Sequence, residues 1–108
     1  MKDKELLDLA AKAAEIELYE TTFDGGEWER CRVLWNPLTN DGDALRLAVR
    51  LSFCVSQWVL HEPPDVMVGY ITPDGDGHNW IEDHRGDSYA ATRRAIVRAA
   101  AEIGKGMK

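Results

Sequence analysis

Between residues 53 and 83, three short runs are separated only by "HEPPD" and "TPDGDG". The runs are "FCVSQWVL" (53–60), "VMVGYI" (66–71) and "HNWIED" (78–83). Parallel strands need a crossover of a dozen or more residues, and neither connection has room for one. The three runs are therefore read as antiparallel strands, with proline and glycine marking the turns.

The flanking regions carry helical spacing instead. Residues 3–15 place Leu6, Leu7, Ala10, Ala13 and Ala14 on one stripe, with Asp3 as N-cap. A second helix, capped by Asn40 or Asp41 and running to about Leu51, turns Ala44, Leu45, Ala48, Val49 and Leu51 inward. A third follows Asp87 or Ser88, packs Tyr89, Ile96, Ala99, Ala100 and Ile103, and ends at a C-cap glycine, Gly104. Between the first two helices, Ile16 and Leu18 alternate with acids, "DGG" supplies a turn, and Trp28 to Trp35 alternate again. That is a hairpin, and its acidic first strand guards an exposed edge. The order is α-β-β-α-β-β-β-α. It predicts one α+β domain over residues 1–108, a mostly antiparallel sheet of about five strands flanked by three helices.

A hydrophobic content of 44% with 30% charged residues suits a globular chain. No apolar run is long enough to span a membrane, and the first residues have no apolar signal-peptide centre. The expected location is the cytoplasm. Cys31 and Cys54 fall inside expected strands and are read as small buried hydrophobes, with a disulfide left open.

Net charge is −6, and acid is concentrated where Glu15, Glu17, Glu20, Asp24, Glu27 and Glu29 run without a basic residue between Lys12 and Arg30. General binding to nucleic acid needs cations that displace phosphate counterions, so this balance argues against it. The acidic stretch suits contact with a basic surface on a protein partner.

Several motifs reduce to punctuation. In "WNPLTNDGDALRLAVRL" (35–51), a helix start presents backbone N–H groups, but Asp41 and Asp43 already supply the negative charge. Capping is the better reading. "PDGDGHNWIED" has alternating acids, yet the sixth and twelfth places of an EF-hand loop hold Asn79 and Arg85. His61, His78 and His84 with Glu82 are read as surface residues rather than metal ligands. Ser52, Ser56 and Ser88 sit in no nucleophile signature. No catalytic residue, cofactor or metal is assigned, and the expectation is a non-enzyme.

Aromatic and arginine residues are the alternative candidates for a ligand site. Trp35, Trp58, Trp80 and Tyr70 with Arg46, Arg50, Arg93, Arg94 and Arg98 are the types that hold a small nucleotide by stacking and guanidinium forks. The competing account puts the tryptophans in the core and pairs the arginines with neighbours such as Glu102, four residues after Arg98.

"WNPLTNDGDALRLAVRL" and "ATRRAIVRAAAEIGKGM", with the opening "LLDLAAKAAEIE", resemble the small phage and prophage proteins of the phage ABA-sandwich family. The likeness covers roughly half the chain. It implies helices flanking a sheet in three layers and a phage gene expressed in the host bacterial cytoplasm. It supplies no catalytic residues. The functional expectation is a non-catalytic binding protein that inhibits a host defence complex by contact. The alternative is a sponge for a nucleotide signal, and the third is an enzyme or a structural phage protein. Self-association stays open.

Overall fold

The computed structural model describes residues 2–15, 35–72 and 75–107. Within them the chain forms α1 (Asp3–Ala13), α2 (Asp41–Arg50), β1 (Cys54–Trp58), β2 (Asp65–Ile71), β3 (Gly77–Asp83) and α3 (Ser88–Lys105). The strands make one antiparallel sheet in the order β1-β2-β3. The architecture is α+β. The expected first hairpin, with Trp28 and Cys31, lies outside the described residues, apart from Trp35 at its end.

The helix starts show why the boundaries fall where they do. Asn40 Oδ1 accepts from the Asp43 N–H at 2.9 Å, and Asp87 Oδ1 accepts from the Ala90 N–H at 3.0 Å. Both satisfy a donor that the first helical turn leaves orphaned. α1 departs from expectation: Lys2 occupies the N-cap position without a side-chain bond, and Asp3 is the first helical residue. There its charge still complements the helix dipole.

The turn before α2 closes on itself. The Asn36 carbonyl accepts from Thr39 and Asn40, the Asn36 side chain accepts from Leu38, and Asp43 accepts from the Asn36 N–H at 2.9 Å. Pro37 is buried beneath it. These groups are spent on one another, so the segment punctuates the fold.

The core is built mainly from alanine, with Leu47, Val66, Val68 and Val97 as its largest fully buried side chains apart from Pro37. α1 lies against α3, and Ala10, Ala14, Ala95, Ala99 and Ala100 are all buried in the core the two helices share. Such small side chains let two helices approach closely. Gly104 is part of this seam. The expectation made it a C-cap, but it lies inside α3, where an added Cβ would collide with the Leu9 carbonyl; the cap position is Gly106. Two long side chains cross-brace the layer: Lys12 Nζ donates to the Met107 carbonyl at 2.7 Å, and Arg50 Nε donates to the Ala14 carbonyl.

Other expectations change with burial. In α2 the buried stripe is Ala44, Leu47 and Ala48, while Leu45 and Val49 are exposed. Among the described elements α2 packs chiefly against α3, which covers a narrower stripe than five residues require. In α1, Ala11 is buried and Leu7 only half-buried. Tyr89 is exposed in the first turn of α3, and Cys54 is exposed with a free thiol. The three described tryptophans do not build the centre: Trp35 and Trp80 pack against the core from its margin, and Trp58 is exposed.

One sheet face meets the helices through Val66 and Val68. The opposite face carries Trp58, Met67, Ile71 and Ile81, and among the described residues no helix packs on it. The three-layer arrangement implied by the family resemblance is not seen among the described residues, where the helices share one core on one face. No helix among them is long and apolar enough to cross a membrane.

Candidate binding site

A groove of about 510 Å³ opens between α2, β1 and the start of α3. Its walls are mostly aliphatic, with Leu45 and Ala48 from α2, Val55 and Val59 from β1 and its turn, and Tyr89 and Ile96 from α3. Leu45 and Tyr89, at 64% and 72% exposed, stand at the mouth. They are free to do so because each points away from the stripe that its helix buries.

A short polar chain lines one side. His84 Nε2 and Gln57 Oε1 lie 2.8 Å apart, Gln57 Nε2 donates to Thr92 Oγ1 at 2.7 Å, and the Thr92 hydroxyl donates to the Ser88 carbonyl at 2.7 Å. The chain pins β1 to α3 and buries His84. At one end Arg93 donates to the Leu38 carbonyl at 2.9 Å and to Asp41 at 2.6 Å, fastening the entry of α2 to α3. A concave, mainly apolar surface with a few fixed polar groups is the usual form of a binding site.

A second cluster lies on the helix-facing side of β3. Glu82 is buried and accepts from Trp80 Nε1 at 2.9 Å and from Arg98, while Arg94 Nε sits 3.7 Å away. Burial pushes the Glu82 pKa up. Hydrogen bonds from Trp80 and Arg98 and the charges of Arg98 and Arg94 outweigh it and hold the carboxyl below the usual glutamate range. Arg94 Nε and Nη2 are enclosed without a hydrogen bond, their compensation being the neighbouring charge. Arg98 thus turns to Glu82 across the core edge, and Glu102 pairs with Lys105 instead.

The nine aromatic and arginine candidates divide among several places. Trp80, Arg94 and Arg98 gather around Glu82. Arg93 alone lines the groove, with its guanidinium engaged. Trp35, Arg46 and Arg50 border a separate depression on α2, where Arg46 pairs with Asp43. Tyr70 stacks on His78 at 5.4 Å, and Trp58 lies against His61 at 5.0 Å. No single pocket collects them. The histidines likewise go to different partners, His61 to Asp65, His78 to Tyr70 and His84 to Gln57. Of the acidic stretch only Glu15 is described, exposed at the end of α1; Glu17, Glu20, Asp24, Glu27 and Glu29 lie outside the described residues.

Sequence reasoning missed the polar chain of the groove. Gln57, His84 and Thr92 are 27 and 35 residues apart in their bonded pairs, and no local pattern marks them. Leu45 and Tyr89 were noticed as apolar but assigned to the interior. Comparison with protein families, curated proteins and solved structures finds no match.

Proposed function

We propose that this chain is a phage-encoded, non-catalytic binding protein that inhibits a bacterial defence system by contact with one of its proteins, in the host cytoplasm. The groove carries the reading. It sets large apolar side chains, Leu45, Val59 and Tyr89, in the open beside a hydrogen-bonded polar chain, and exposed apolar surface of this kind serves association. The family resemblance supports the phage origin, and the net charge of −6 suits a basic partner approached by electrostatic steering.

The test is plating of a defence-sensitive phage on defence-carrying bacteria that express the protein. Wild type should restore plaques and co-purify one defence component, and Leu45→Glu with Tyr89→Glu should lose both effects while staying folded. Charge reversal at Glu15, Glu17 and Glu20 should slow association most at low salt. If wild type rescues no phage across a panel of defence systems, the reading fails.

A further inference from the structure

We infer that the open face of the sheet is a second docking surface, one that fits a protein patch with an apolar centre and arginine or lysine along one side. It deepens the contact reading by naming the partner's chemistry, on a surface other than the groove.

The register sets the layout. Trp58, Asp65 and Asp83 align in one row across the three strands, and Ser56, Met67 and Ile81 align in the next. Ile71, Ile81 and Trp58 are 75%, 59% and 44% exposed. Apolar side chains on a wet sheet face contribute little to folding, so their burial is still available to a partner. Trp58, an interface-prone residue type, rests on the His61 ring, and His61 Nδ1 lies 3.3 Å from Asp65.

The charges select the occupant. Among the side chains of the three strands that point to this face, Asp65 and Asp83 are the only formally charged ones. They stand directly opposite each other in β2 and β3. Like charges in facing positions destabilise a sheet. His61 stands beside the mostly enclosed Asp65 and leaves the exposed Asp83 to water, so a guanidinium or ammonium laid on the Asp83 side would relieve the repulsion. Nucleic acid and anionic lipid are repelled by the same two carboxylates. A second copy brings two more and no strand cation to meet them.

The probe is a displayed library of random disulfide-closed peptides, panned against the full chain. Enriched clones should combine arginine or lysine with aromatic or aliphatic residues. Their binding should fall about tenfold against Ile81→Glu, and by a similar factor against Asp65→Asn with Asp83→Asn. It should weaken with added salt and be unchanged by Glu5→Gln on exposed α1. The melting midpoint of the Asp83→Asn variant should hold or rise, which separates lost binding from lost folding. Absence of enriched clones, clones without cations, or clones indifferent to Asp83→Asn overturn the inference. So does a dimer in sedimentation that Ile81→Glu dissociates, which assigns the face to a second copy. Binding to phosphatidylglycerol vesicles lost in Ile81→Glu would assign it to lipid and overturn the inference as well.

Discussion

The two faces of this sheet are made from alternate residues of the same strands, yet they obey different rules. On the helix side Val66 and Val68 are sealed under α3, and the one carboxylate, Glu82, is held by an indole N–H and two guanidinium groups. On the other side Ile81 lies in the open beside Asp83, which faces Asp65 across the strands. A charge is tolerated inside because it is fully accompanied; outside, Asp83 is exposed to water and the mostly enclosed Asp65 has His61 beside it. Stability therefore resides on one face, and the other keeps apolar side chains that no described element covers.

The largest effect should come from removing the internal charge. Because the folded pKa of Glu82 is depressed, its stabilisation is present above the ordinary glutamate value of about 4.3 and is lost as pH falls through the folded value. Glu82→Gln should cost about 3 kcal/mol at neutral pH, since Arg94 and Arg98 lose their counter-charge. It should also flatten the acid limb of urea midpoint against pH. An unchanged acid limb would show that another carboxylate sets it.

The comparison sharpens with a matched truncation on each side. Leu47→Ala in the core should cost about 3 kcal/mol, whereas Ile81→Ala on the open face should stay within about 0.5 kcal/mol. Equal costs in urea unfolding would mean the faces are not energetically distinct. Next in size is Gly104→Ala. The new methyl has to push α1 away from α3, for a loss of about 2 kcal/mol, visible as a lower melting midpoint. Cap removal comes below that: Asn40→Ala and Asp87→Ala should each cost about 1 kcal/mol. The smallest effect has the opposite sign. Asp83→Asn should stabilise the chain by about 0.3 kcal/mol through relief of the cross-strand repulsion.

How much of this was legible beforehand follows from the range of the interactions. The caps at Asn40 and Asp87, the turn around Asn36 and the three strands between 53 and 83 are set by residues within a few positions, and the sequence predicts them closely. Burial in the helices is decided by what packs against them. Period alone could not tell Leu47 from Leu45, or reveal that Tyr89 looks outward. Gly104 has the position of a terminator and serves as a passage for another backbone, a role set by Leu9 far away in the chain. The groove is illegible for the same reason: its polar chain joins β1, the segment after β3, and α3. The arginines were identified as chemically notable, but only the fold shows that Arg94 and Arg98 face inward to Glu82.

The seam between α1 and α3 has a kinetic side. Its brace, from Lys12 to Met107, joins residues 95 apart in the chain. Closing so long a loop is entropically expensive, and contacts of that separation slow the search for the native state. That seam thus joins the first and the last of the described elements, and its contacts cannot form until α3 has been synthesised.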